Sequence, residues 1–193
     1  MDVGIPELAD GALPPGRHRC TQEEFEQRFV AAEDYAGSRT RPVIWQHWQA
    51  AVNLLQSAAK VHVAWIGGSF TTVKPGPRDI DVTFMINEED WLSRDAADRT
   101  VIESFQLRVK DALTGRTVPR HGLLVDSFIV KWTPHQPLSD GTLSAEYESY
   151  AADRGYWDDW WSRRRESKKT EKPVRTDALP RRGYLEVLFD EYE

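Results

Sequence analysis

The sequence predicts a single domain of the α/β (α+β) class. Helical and β-type hydrophobic periodicities are mixed along the chain, and no internal repeat or low-complexity tract interrupts them. A length of 193 residues with 40% hydrophobic and 29% charged side chains suits one globular unit with a real core.

Taken in order, the first nineteen residues hold Pro6, Pro14, Pro15 and several glycines, which predicts a segment without regular structure. Thr21-Gln-Glu-Glu24 is a capping box, so a helix should start there and run to about Tyr35. A second helix is expected from Arg41 to Lys60, with Pro42 in its first turn and Ile44, Trp48, Val52 and Leu55 as its buried stripe. Strands are expected at Val61–Ile66 and Ile80–Ile86. Asn87 caps a following helical stretch. Its second part, Ala96 to Leu113, puts Ile102, Phe105, Val109 and Leu113 on one face, with Gly115 as the stop. Leu123–Trp132 reads as a third strand, 134–141 as a loop, Ser144–Arg165 as an aromatic-rich helix and Tyr184–Phe189 as a short final strand.

Several classes are disfavoured. The apolar runs break well before the roughly 20 residues that span a bilayer, and the first twenty residues lack a basic start followed by an apolar stretch. Cys20 is the only cysteine, so an intramolecular disulfide or a cysteine-based zinc site is not expected, and a reducing cytoplasm is the natural setting. The net charge of −6 is uneven: Arg163 to Arg182 carries nine Lys/Arg against three Asp/Glu. That segment suits an anionic partner or a solvated tail.

The chemistry concentrates in Trp65-Ile-Gly-Gly-Ser-Phe-Thr-Thr-Val-Lys-Pro-Gly-Pro-Arg-Asp-Ile-Asp-Val-Thr-Phe84, a strand, a turn, a nine-residue loop and a second strand. Gly67 and Gly68 allow close backbone approach to a phosphate, and Ser69 adds an amide and a hydroxyl. Asp79 and Asp81, two apart on a strand, leave from the same face, while Ile80 and Val82 point into the core. Converging carboxylates repel unless a cation lies between them, and Mg²⁺ (or Mn²⁺) suits such oxygen donors. Asp126 interrupts the apolar strand Leu123–Val130 and also calls for a metal or a cation. If its strand lies beside that of Asp81, three carboxylates can hold two metals roughly 3.5–4 Å apart.

This pattern resembles the nucleotidyltransferase superfamily of DNA polymerase β, whose signature is a Gly-Ser turn followed by Asp-x-Asp. Gly68-Ser69, nine residues and Asp79-Ile-Asp81 match it, and Asp126 fits the third carboxylate; the likeness covers about 61–132. It implies a small mixed β-sheet flanked by helices, with a core at about 41–132 and an aromatic helix and basic tail at 144–193. It further implies a metal-dependent transfer of NMP from a nucleoside triphosphate such as ATP. The acceptor would be a hydroxyl of a protein, of RNA or a tRNA end, or of a small molecule, with a partner protein as one way to recognise it. Small free-standing bacterial relatives of this kind often act in toxin–antitoxin or antiviral (phage) defence modules, so the resemblance implies that setting. A catalytically silent nucleotide- or RNA-binding module with the same fold is the alternative.

Other residues allow two readings. Lys74 and Arg78 read as contacts to the triphosphate or as part of a solvated loop. His121 reads as acting on an acceptor or as a surface residue at a strand start. Tyr147, Tyr150, Arg154, Trp157 and Trp161 share a helical stripe, with Tyr156 and Trp160 nearby. Such a stripe stacks bases in some proteins and at this spacing usually forms core.

Overall fold

The computed structural model describes residues 4–134, 141–164, 171–172 and 174–189. The chain runs β1 (Gly16–Cys20), α1 (Gln22–Glu26), α2 (Arg41–Ala58), β2 (Val61–Gly67), β3 (Ile80–Asn87), α3 (Glu88–Ser93), α4 (Ala96–Ser104), β4 (Arg108–Lys110), β5 (Thr117–Pro119), β6 (Val125–Trp132), α5 (Ala145–Ser162) and β7 (Gly183–Leu188). Five strands form one mixed sheet in the order β1-β7-β2-β3-β6, and β4 and β5 form a separate two-stranded ladder. β1 pairs with β7, and β3 with β6, in parallel; β2 is antiparallel to both β7 and β3. The fold is therefore mixed α+β, with helices on both faces of the sheet. No helix among the described residues is long and apolar enough to cross a membrane.

The capping box at Thr21 forms as its sequence requires, with Glu24 N donating to Thr21 Oγ1 (3.1 Å) and Thr21 N to Glu24 Oε2 (2.7 Å). α1 passes into a π-helical turn at Gln27–Ala31 and a 3₁₀ turn at Glu33–Tyr35. The apolar stripe of α2 is buried as its periodicity demands, with Ile44, Trp48, Val52 and Leu55 all in the main core. That core is aromatic: Phe25 meets Trp45, Trp48, Phe70 and Phe29 edge-on at 5.3–5.9 Å between ring centroids, and Trp48 stacks on Phe84 at 5.6 Å. A second cluster, with Trp65, Met85, Val130, Tyr150, Trp161 and Tyr184, lies under α5.

Two expectations fail. Gly16–Cys20 is a strand, not irregular chain, because β7 supplies hydrogen-bond partners that no local pattern announces. The helix expected to reach Leu113 stops at Ser104, and the chain turns into the β4–β5 hairpin. Ile102 and Phe105 are buried, but Val109 is 41% and Leu113 96% exposed, so the apparent stripe beyond Phe105 has nothing to pack against. Asp111 explains the turn: its Oδ1 accepts from Thr114 N and Oγ1 (both 2.6 Å), and Gly115 takes the left-handed conformation at φ +68°. Gly115 thus closes a hairpin rather than a helix.

Candidate functional site: the acidic edge of the sheet

The turn after β2 is fixed by its own chemistry. Gly68 has φ +67°, a conformation that favours glycine, and a Cβ there would overlap the Asp81 carboxylate. Arg182 Nη2 donates to Gly68 O and to Thr71 Oγ1, both at 2.9 Å. The loop beyond is held from below by Arg41. This fully buried guanidinium donates to the carbonyls of Phe29, Phe70, Thr72 and Lys74 at 2.8–2.9 Å. It also lies 3.8 Å from the Tyr35 ring centroid. Burial draws its pKa down to about 10, and the four acceptors keep it a cation at neutral pH. Tyr35 Oη donating to Thr72 O (3.0 Å) and Ser38 Oγ to Pro75 O (2.6 Å) complete the anchoring. The segment between the Gly-Ser turn and the acids is thus anchored at Gly68, Phe70, Thr72, Lys74 and Pro75.

The acids follow from strand register. In the parallel β3–β6 ladder Asp81 stands opposite Asp126, and Gly67 of β2 stands opposite Asp81 from the other side. Ile80, Val82, Val125 and Ser127 alternate with the two acids and are buried, so both carboxylates leave from the face that α5 covers. Asp79 sits in the bend just ahead of β3, not on the strand itself.

Arginines surround this edge. Arg108 of β4 pairs through Nη1 with Asp126 Oδ1, donates through Nη2 to Ser127 O at 3.0 Å and lies 4.5 Å from the Phe128 ring centroid. Asp126 remains 40% exposed at its side chain. Arg116, beyond the hairpin turn, lies 3.9 Å from Asp79 Oδ2. Burial lowers the Arg182 pKa, the charge of Asp81 raises it and that of Arg164 lowers it, which puts Arg182 within electrostatic reach of Asp81. Among the described residues no three His, Cys, Asp or Glu side chains converge closely enough to hold a metal ion. Asp81 and Asp126 have the donor chemistry and the register that a hard cation needs, but Asp126 carries an arginine in that place.

Gly67 serves packing: a Cβ there would strike the Trp161 indole, so the close approach it permits is to a side chain. Ser69 is partly buried at the turn, and its carbonyl accepts from Thr72 Oγ1 at 2.8 Å. Lys74 and Arg78 are exposed.

His121 is half-buried rather than a free surface side chain. Its ring lies 4.5 Å from the Phe105 ring, Nδ1 accepts from Leu123 N (3.1 Å), and Nε2 is 2.9 Å from Ser127 Oγ, which donates to Phe105 O. Since Nδ1 accepts, Nε2 carries the proton and donates. Burial, then the charge of Arg108, lowers its pKa to about 4.

The aromatic stripe of α5 is core for the most part: Tyr150 and Trp161 are buried, Trp161 Nε1 donates to Thr83 Oγ1 (3.0 Å), and Trp157 packs on Phe128 at 4.3 Å. Tyr156 and Trp160 stack at 6.0 Å on the exposed side. Of the basic segment, residues 165–170 and 173 lie outside the described residues, as do 135–140 of the expected loop. Residues missed by the sequence reading are Arg108, Arg116, Arg182 and Arg41. The Asp-x-x-Thr-Gly turn at 111–115 was the one local signal that could have moved Arg108 from a helix to a strand.

Fold and site together define a mixed α+β domain whose sheet edge gathers aspartates and arginines beside a tight glycine turn. The chain belongs to the family described as "Family of unknown function (DUF6932)", whose model matches residues 6–188. No curated protein and no solved structure matches it.

Proposed function

We propose that the protein is a metal-dependent nucleotidyltransferase that moves NMP from a nucleoside triphosphate to a hydroxyl acceptor. The observation that carries the reading is the register of Asp81 opposite Asp126, one strand away from the Gly68-Ser69 turn. Together with Asp79 these are the residues for which the sequence resembles the polymerase-β superfamily.

In this reading Asp79, Asp81 and Asp126 would hold Mg²⁺ or Mn²⁺, with the Arg108 pair on Asp126 displaced. When bound, such ions neutralise triphosphate charge and lower the pKa of the attacking hydroxyl. The chain's own contribution is placement. The turn at Gly68 and Ser69 presents backbone and hydroxyl to phosphate oxygens, and the loop held by Arg41 and Arg182 keeps that turn fixed against the acids. The acceptor oxygen forms its bond to the α-phosphorus as the bond to the β-phosphate oxygen breaks. Pyrophosphate departs, and the hydroxyl proton passes to solvent. Lys74 and Arg78 are the exposed cations of the loop that can meet the triphosphate or the acceptor. The reading puts the protein in the cytoplasm, and a toxin–antitoxin or defence role would follow from the identity of the acceptor.

The competing reading, a silent nucleotide- or RNA-binding module, is favoured by one observation: Arg108 already satisfies Asp126, and no three-carboxylate cluster is formed among the described residues. Incubation with each α-³²P-labelled NTP, Mg²⁺ or Mn²⁺, and total bacterial RNA and protein separates the two. Label transferred by the wild type and lost in Asp81→Asn supports the transferase. Nucleotide binding without label under any condition supports the silent module, and transfer unchanged in Asp81→Asn removes the proposed site.

A further inference from the structure

The α5-covered face of the sheet has a second end. Asp81 and Met85 are four positions apart on β3, roughly 13 Å along a strand. Beside Met85 the face opens into a cavity of about 360 Å³, and a second of about 470 Å³ adjoins it; the two share Arg17, Trp65, Tyr150 and Arg154. Each volume falls in the range of pockets that hold small organic molecules.

The charge on this cavity opposes that of the protein. The chain carries −6 overall. Yet the cavity is lined by Arg17, Arg19, Lys60 and Arg154 against two carboxylates, Glu186 and Asp158, an excess of two positive charges. The carboxylates are committed within the protein. Buried Glu186 accepts from Arg19 Nε (2.9 Å) and Trp65 Nε1 (3.2 Å), with Arg17 Nε 3.6 Å away, and Asp158 bonds the Tyr184 hydroxyl. Glu186 holds Arg17 and Arg19, and Arg17 lies 5.3 Å from the Trp65 ring centroid. Arg154 is placed by other groups: it lies 5.9 Å from the same centroid and donates to Tyr150 Oη at 3.0 Å. Beside these cations the wall is apolar, with Val63, Met85 and the flat indole of Trp132.

An arginine-rich rim selects oxyanions, for which the guanidinium fork is shaped, and an excess of two positive charges suits the dianion of a phosphate monoester better than a single carboxylate. A flat apolar wall next to it selects a planar body. We propose that this cavity binds a planar organic phosphate of nucleoside monophosphate size, at a site separate from the acidic edge. It needs no metal, because the side chains supply the positive charge. The proposal stands independently of the transferase reading.

Calorimetric titration in EDTA tests it, with AMP, UMP and phenyl phosphate as probes and with adenosine and inorganic phosphate as half-ligands. At least one probe should bind wild-type protein saturably, about tenfold or more tighter than either half-ligand. Arg154→Gln should weaken that probe about tenfold, and Asp81→Asn should leave it unchanged. Lys60→Gln is the second variant should Arg154→Gln lower the melting temperature of the free protein. No binding of any probe at millimolar concentration overturns the proposal. So does inorganic phosphate or adenosine binding as well as the whole ligand, full affinity in both cation variants, or loss of affinity in Asp81→Asn, which would put the ligand at the aspartates. EDTA keeps these outcomes separate from the metal-dependent labelling assay.

Discussion

Two segments border the aspartates, and they are attached by opposite means. The loop from Gly68 to Asp79 is tied down by Arg41, a buried cation whose partners are four backbone carbonyls. The β4–β5 hairpin reaches the same edge through Arg108 on Asp126 and Arg116 near Asp79, ion pairs whose side chains keep 25–53% of their exposure. A buried charge bound to carbonyls has no alternative partner and moves only if the fold opens. A half-exposed ion pair can be replaced by water, salt or another cation. The loop is thus the fixed wall of the site, and the hairpin is the side that a cation or ligand can displace.

The largest expected effect is on the fixed wall. Arg41→Met removes the donor for four carbonyls, two of them in fully buried bonds, and should destabilise the protein by about 3–5 kcal/mol. Urea unfolding should show the midpoint fall without a matching change in slope. A loss under about 1 kcal/mol would mean that the loop does not depend on this anchor, and the contrast between the two segments would collapse.

Gly68→Ala comes next. The substitution meets both the positive φ and the Asp81 carboxylate, and about 2 kcal/mol of lost stability is expected from the strained backbone and the displaced side chain. Gly67→Ala should also destabilise, through Trp161 instead, and a falling indole fluorescence signal would mark it. If Gly68→Ala leaves stability and any cation binding at Asp81 untouched, the close approach of turn and carboxylate plays no part in the site.

The fixed wall was far more legible in the sequence than the movable side. Gly68, the alternation through Ile80–Asp81–Val82 and the lone Asp126 in an apolar strand are short-range patterns, and they carried through to a positive φ and an in-register pair. Arg41 escaped notice because its partners come from Phe29 and from residues about thirty positions further on. The hairpin was missed for a different reason: Ile102 and Phe105 do lie on a helical face, and Val109 and Leu113 extend that spacing by accident into exposed chain. β1 and β7 pair across more than 160 residues, a partnership outside the reach of any local window.

A pH measurement sharpens the comparison at the base of the hairpin. His121 is held neutral between Phe105, Ser127 and Leu123, with its pKa drawn from the ordinary 6.5 to about 4. The unfolded chain therefore binds a proton that the folded chain refuses. Stability should be complete above about pH 6.5 and decline as pH falls toward 4. Because the ring is partly exposed, the loss is set at about 1–2 kcal/mol rather than the full linkage value. His121→Gln should flatten that decline in a series of melts between pH 7 and 4. An unchanged slope would move the titrating group elsewhere.

The smallest effect on stability, and the sharpest on the site, belongs to Arg108→Gln. Its pair with Asp126 is half-exposed, so its removal should cost about 1 kcal/mol or less, a loss that shrinks further in 0.5 M salt. The same change removes the cation that competes for Asp126, so Mn²⁺ should bind the variant more tightly than the wild type, by about tenfold for one charge pair at this depth. Tighter Mn²⁺ binding with near-normal stability would mean that Arg108 occupies the place of a metal and yields it. Weaker binding would mean that Arg108 holds Asp126 in the geometry a cation needs, and the hairpin would join the loop as part of the fixed wall.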